Sequence, residues 1–308
     1  MGDGNQLVHD NADVTRVPAN LRSSTIGLLA ALSLVPLVLA PTASAGEVSP
    51  AVSSCVEKAL GAKAAGVMSG SDKAMAQLSS RERGLVEGCL VTNGRAAGKA
   101  AKQPSKLTVS PIDPSIVTSM SKFRSCAGHD FSGLNLQGQS ERNRSMKHYV
   151  YVDVPWTATG AVQVRAPISG TAIVSVEKNY PLGSWVRILD RKGWVVTAFH
   201  VDAKVRDGQK VKAGDVIATF PPANAPTFMP DRMSEPQANF DLTLQSTDGR
   251  MASFIDWLTP SARKAWESRG FSSESLTITK DERDAQPCAS DFPDGPGSTG
   301  FVMAVAGS

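Results

Sequence analysis

Aromatic side chains make up only 6% of the 308 residues, and Lys and Arg exceed Asp and Glu by three. A nucleic-acid interface needs a basic stripe, and a single-strand platform needs aromatics to stack on, so neither is supported. No apolar run reaches the roughly 20 residues that a membrane-spanning helix requires. The longest, residues 26–40, is interrupted by Pro36. A serine-hydrolase elbow, G-x-S-x-G, is missing, since neither Ser132 in HDFSG nor Ser145 in RSMKH stands in one. Histidine is scarce, four in all. Any imidazole chemistry past the leader must draw on His129, His148 and His200.

What is present begins with an export signal over residues 1–45. Arg16 and Arg22 precede the apolar run, and Ala43-Ser44-Ala45 supplies a small-residue cleavage site. An uncleaved anchor is the alternative, and a true start near Val14 or Val17 would explain the long polar lead. Export predicts a secreted or cell-envelope protein in an oxidising compartment, with no stable membrane span once the signal is removed. The four cysteines then form an even set with three possible pairings. Cys55 and Cys89 fall in one small helical stretch, while Cys126 and Cys288 bracket the central region, which favours 55–89 and 126–288.

With 41% apolar residues the chain has material for one sizeable core and smaller appendages. Residues 46–102 read as a Cys-stapled helical module, with capping-box patterns at Ser54-x-x-Glu57 and Ser79-x-x-Glu82. Residues 103–122, rich in Ser, Pro and Lys, read as a linker. The chain from 123 to 247 reads as an antiparallel β-core: Val162 and Val164 alternate with Gln163 and Arg165, and Gly208 and Gly214 mark turns. From 248 to 288, Thr259-Pro260 opens a helix that stops at Gly270, with Leu258 and Trp266 on its apolar stripe. Residues 289–308 read as a disordered tail in which FVMAVA could add an edge strand. The fold class is therefore α+β.

The wording of the core is more specific than its period. GAVQVRAPISGTAIV, TAFHV and VRDGQKVKAGDVIAT resemble the opening, the aromatic-x-His segment and the hairpin of the lysostaphin-type (LytM-like) zinc endopeptidases. These share a duplicated hybrid motif with lipoyl and biotinyl carriers, but no carrier turn bearing a modifiable lysine occurs here. In that family His-x-x-x-Asp and the second His of a late His-x-His hold zinc. The aromatic-x-His and the first His of the pair assist the attacking water.

The resemblance places Cys126-Ala127-Gly128-His129-Asp130 on the first motif and Gln237-Ala238-Asn239 on the late one. It thus implies Asp130, Asn239 and Cys126 at metal positions, and His200 and Gln237 at catalytic positions. Neutral amides are poor zinc ligands and cannot act as general bases near neutral pH. A Cys126 oxidised with Cys288 offers no thiolate. The expected convergence is of Asp130, His200, Gln237 and Asn239 in one groove.

The expected function is a non-catalytic envelope module that binds peptidoglycan or regulates a wall enzyme, with no cofactor. The alternative is a zinc endopeptidase of wall peptides with substituted ligands. A rewired site using His129, His148 and His200 is weighed against structural histidines. The run Glu141-Arg142-Asn143-Arg144 reads as a solvated loop whose arginines could meet an acidic polymer. Trp156, Trp185 and Trp194 read as core tryptophans or a sugar-stacking face.

Overall fold

The computed structural model describes residues 49–69, 71–98, 100–177, 181–289 and 292–305. The expected signal at 1–45 lies outside these residues. No helix among the described residues is long and apolar enough to cross a membrane.

Four helices open the described chain: α1 (Pro50–Leu60), α2 (Ala64–Met68), α3 (Asp72–Ala76) and α4 (Ser80–Val91). Ser79 and Glu82 close the expected capping box on α4. The other expected cap is displaced by a turn: Ser49 caps α1, Pro50 takes its first position, and Ser54 lies inside the helix. Cys55 and Cys89 are bonded across α1 and α4 with Cα atoms 5.7 Å apart.

The face of α4 that meets the sheet is made of glycine. A Cβ on Gly88 would lie 1.8 Å from the Thr247 carbonyl oxygen, and one on Gly84 would lie 2.1 Å from that of Asp248. The backbone of the turn can approach the helix this closely only because these two helix positions lack a side chain.

Among the described residues eleven strands, all paired antiparallel, form the core. They are β1 (Val117–Ser121), β2 (His148–Val152), β3 (Val162–Arg165), β4 (Gly170–Ser175), β5 (Ser184–Leu189) and β6 (Trp194–Ala203), then β7 (Lys210–Val211), β8 (Val216–Phe220), β9 (Ala238–Ser246), β10 (Met251–Ala252) and β11 (Phe301–Met303). The main order is β11-β1-β2-β9-β6-β5-β4-β7, with β10 on β9 and β3 and β8 paired to the side. The alternation read in 162–165 is realised, Val162 and Val164 buried and Gln163 and Arg165 exposed. Gly208 and Gly214 both sit at positive φ in turns.

The stretch expected as a linker is packed instead. Leu107 and Ile112 are buried in the main core, and 117–121 is β1 itself. The Leu107 backbone N–H donates to the Trp257 carbonyl at 2.8 Å, and its carbonyl accepts from Thr259 N at 2.9 Å. Polar composition hid this because four apolar side chains, Leu107, Ile112, Val117 and Met120, and backbone bonds are enough to hold an extended segment.

Among the described residues of the expected tail, Phe301–Met303 pairs with β1 as an edge strand. Helix α5 (Ala225–Phe228) precedes β9. Helix α6 (Pro260–Glu267) is capped by Thr259 and buries Trp266, as its sequence predicts. Helix α7 (Lys280–Ala285) leads to Cys288, bonded to Cys126 with Cα atoms 5.3 Å apart.

The run 141–144 is not a solvated loop throughout. The Glu141 carboxylate is fully buried and meets Arg124 at 2.7 Å and Arg144 at 3.0 Å, and Arg144 also reaches Asp284 at 2.6 Å. A buried carboxylate needs such partners to offset its desolvation. Arg142 and Asn143 alone remain exposed.

Candidate functional site

Strand β2 pairs with β9 so that Tyr149 lies opposite Asp241 and Tyr151 opposite Asn239. Side chains alternate across a strand, so these four share one face, while His148, Val150, Phe240 and Leu242 point into the core. Above the outer face opens a cleft of about 350 Å³, lined among others by His129, Lys147, Tyr149, Trp156, His200, Arg232, Asn239 and Asp241.

Lys147 anchors one wall. Its ammonium is 2.6 Å from Asp241 and 3.1 Å from His129 Nε2, and its side chain is only 5% exposed. The rings of Tyr149, Phe131 and Phe199 stand 4.6, 5.1 and 5.5 Å from it, a cation–π cage around a nearly dry ion pair. Lysine can only donate, so His129 accepts through Nε2 and its Nδ1 donates to the Asp130 carbonyl at 3.0 Å.

Arg232 forms the opposite wall. It stacks 5.0 Å over Trp156 and pairs with Glu235 at 2.7 Å. Burial, reinforced by the charge of Asp241, holds the Tyr149 phenol protonated far beyond its ordinary range.

His200 enters from β6, with φ at +59°. A side chain in this region costs roughly 1–3 kcal/mol, and such residues cluster where geometry serves a site. The β5–β6 register shifts across Ser184 and Val186, just opposite, and His200 Nδ1 lies 3.2 Å from the Leu182 carbonyl. Asn239 presents a buried Oδ1 with no hydrogen-bond partner among the described residues.

The expected convergence is reached by His200 and Asn239 and not by the others. Gln237 is half-buried just before β9 and does not line the cleft. Asp130 faces away. Its carboxylate accepts from Ser132 at 2.6 Å, Asn143 N at 3.1 Å and Arg144 N at 3.3 Å, and so fixes a loop beside a separate cavity under α4. Cys126 is consumed by its disulfide, with Arg283 Nη1 at 2.8 Å from its sulfur.

His148 is a core residue, hydrogen-bonded to the Ser121 carbonyl and Ser253 Oγ. Trp156 and Trp194 are fully buried, so the three tryptophans do not make a stacking face.

Tyr149, Lys147, Arg232 and Asp241 were not singled out by sequence reasoning. Only Tyr149 left a signal: Tyr149-Val150-Tyr151-Val152-Asp153 repeats the H-x-G-x-D spacing directly before the GAVQVRAP segment, with tyrosine in place of both His and Gly. Asp153 is exposed at the end of β2.

These residues do not fit a zinc ion. Two cations line the cleft, Asp241 is committed to one of them, the Tyr149 oxygen keeps its proton, Asn239 is an amide, and Glu177, the other carboxylate of the lining, is not clustered with two further ligands. Among the described residues no three His, Cys, Asp or Glu side chains cluster as a metal site.

The sequence comparison agrees with the fold. Residues 152–235, most of the β-core's middle, match the family model of peptidase family M23, and this part of the chain is similar to that family. The matched segment holds His200 but ends before Asn239. No curated protein sequence matches the chain.

The solved structures similar to it include the following three. The first is the M23 metalloprotease pseudoalterin from the deep sea, at 11% identity over 51% of this chain and 76% of that one, with a TM-score of 0.30. The second is the SpoIIQ–SpoIIIAH pore-forming complex, at 16% identity over 50% and 92%, with a TM-score of 0.31. The third is the catalytic domain of a point mutant of the prophage-encoded M23 protein EnpA from Enterococcus faecalis, at 16% identity over 43% and 95%, with a TM-score of 0.27. Overlap at this level says nothing of this chain's activity.

Proposed function

We propose that the protein is an extracytoplasmic M23-type module that binds in its His200–Asn239 cleft without hydrolysing what it holds. Its partner would be peptidoglycan peptide or an envelope protein that acts on the wall. The observation that carries this reading is the Lys147–Asp241 ion pair, caged by three rings on the cleft wall. Hydrolysis of an amide needs an activated water and a developing negative charge met by a metal or its equivalent. Here the Asp241 carboxylate is neutralised by Lys147, and the other polar groups of the cleft, Glu177, Arg232, a phenol, an amide and two imidazoles, include no cluster of three metal ligands among the described residues. Two disulfides support an oxidising compartment.

Metal analysis of the purified protein, after dialysis against a weak chelator, should find no stoichiometric zinc. A dye-release assay on labelled peptidoglycan should stay at background. Insoluble peptidoglycan should nevertheless retain the protein, and Asn239→Ala should weaken that retention about tenfold, the effect of losing one well-placed polar contact in a dry cleft. Stoichiometric zinc together with peptide release that disappears in His200→Ala would establish the hydrolase instead.

A further inference from the structure

The two disulfides differ in what surrounds their sulfurs. Cys55 and Cys89 are both buried, and no hydrogen bond reaches either sulfur among the described residues. The Cys126–Cys288 bond is asymmetric. Cys126 is 7% exposed, whereas Cys288 is half-buried between the exposed residues Pro287 and Ala289. Arg283, in the last turn of α7, places its Nη1 2.8 Å from Cys126 Sγ.

Arg283 is held for this contact. Its Nε donates to the Arg124 carbonyl at 2.7 Å, and its Nη1 donates also to that of Gln286 at 2.9 Å. No carboxylate forms an ion pair with it among the described residues. Asp294 is the opposing charge beside Cys126. It accepts from the Cys126 N–H at 2.8 Å and from the Ser298 hydroxyl at 3.1 Å. Both of its oxygens are committed to donors, while the guanidinium faces the sulfur itself.

The rate of thiol–disulfide exchange depends on access to the attacked sulfur and on how readily the other sulfur departs as a thiolate. A guanidinium keeps its charge at any working pH, and a cation beside a cysteine favours the thiolate. The reachable sulfur and the better leaving group are therefore opposite ends of one bond.

We propose that Cys126–Cys288 is a thiol-exchange site, entered at Cys288 by a dithiol reductant. One thiolate of the dithiol attacks Cys288 Sγ. The Cys126–Cys288 bond breaks, a mixed disulfide forms on Cys288, and the electron pair passes to Cys126 Sγ as a thiolate against Arg283. The second thiol of the reductant gives its proton to solvent and attacks the mixed disulfide. Cys288 leaves and takes a proton from solvent, and the reductant departs as its own disulfide, two electrons poorer. Cys126 anchors the segment that carries His129, the acceptor of Lys147 in the His200 cleft. Opening the bond thus releases one wall of that cleft from outside it. The exchange does not depend on what the cleft holds.

The test uses the folded full chain without denaturant. Dithiothreitol is added at mildly alkaline pH, samples are quenched with iodoacetamide, and peptide mapping follows alkylation of each cysteine. Cys126 and Cys288 should be alkylated about tenfold faster than Cys55 and Cys89, the scale on which a stabilised leaving thiolate speeds exchange. Glutathione in place of dithiothreitol should leave glutathione on Cys288 and the alkyl group on Cys126. Once the bond is open, amide hydrogen exchange should quicken over 127–131 while β5 and β6 stay protected.

Arg283→Gln should slow the opening about tenfold, and Arg283→Lys should keep most of the parent's rate. A side chain that merely packed there would expose the bond when shortened, and the opening would speed up instead. If both disulfides open at one rate, if glutathione attaches to Cys126, if Arg283→Gln opens as fast as the parent, or if 127–131 stays protected, the proposal is wrong.

Discussion

Between Pro50 and Val91 the chain buries a small cluster, chiefly Val52, Val56, Leu60, Leu78 and Val86, around one disulfide. The β-core buries a continuous cluster from Ala100 to Leu276, including Trp156, Trp194 and Trp266. A cluster the size of the first does not offset the conformational entropy of its own residues, which is why small units need staples. The helical module adds a second device. Gly84 and Gly88 press its backbone directly onto the turn after β9, where Gly249 offers no side chain either. The helices are therefore ordered partly by the core, whereas no residue between Pro50 and Val91 belongs to the core's cluster.

The hardest test of this asymmetry is covalent. The two disulfides close loops with sequence separations of 162 and 34 residues. In the chain-entropy model these contribute about 5 and about 4 kcal/mol, respectively. The Cys126→Ala/Cys288→Ala pair should lower the main calorimetric transition. The Cys55→Ala/Cys89→Ala pair should instead split off a low-temperature transition and leave the main one near its original position. Equal loss in a single transition for both pairs would mean that the module and core melt as one unit.

A second test keeps both disulfides and disturbs only the glycine contact. Gly88→Ala places a methyl 1.8 Å from the Thr247 oxygen, a clash that backbone movement must relieve. The expected cost is about 3 kcal/mol, within the range for overpacking a rigid contact. Amide hydrogen exchange should quicken along α4 and at Thr247 while β5 and β6 stay protected. Unchanged exchange in α4 would show that the docking is not what orders the module.

The core and its hairpin turns were legible in the sequence because alternation and glycine position are local. The disulfide pairing was legible because each pair brackets one unit. The linker reading of 103–122 failed because Leu107, Ile112, Val117 and Met120 follow neither a strand nor a helix period, though all four are enclosed.

At the site, His200 and Asn239 were legible from the wording around them. Asp130 was not, since its role depends on which way a loop turns: it caps Asn143 and Arg144 and faces α4. Lys147 gave no signal. Its importance comes from Asp241, 94 residues away on the neighbouring strand, and no spacing rule links the two.

The last test uses pH, because the core and the module interface hold groups shifted in opposite senses. Burial pushes His148 from 6.5 down to about 4. Between those values the unfolded chain takes up a proton that the native core refuses. Core stability should therefore climb with pH across that window, by about 3 kcal/mol in all, and level off above 6.5. Glu87, on α4 against Gln245 of β9, is raised above 4.5 by burial. The native interface there keeps a proton that the unfolded chain releases, so its contribution falls as pH rises through the window above 4.5. Acidification should thus weaken the core transition while favouring the docked module. His148→Gln, which retains a donor and an acceptor, should flatten the first dependence, and Glu87→Gln the second. If His148→Gln leaves the core's pH profile unchanged, the core's acid sensitivity must come from its carboxylates, and the contrast between the two regions reduces to their disulfides and glycines.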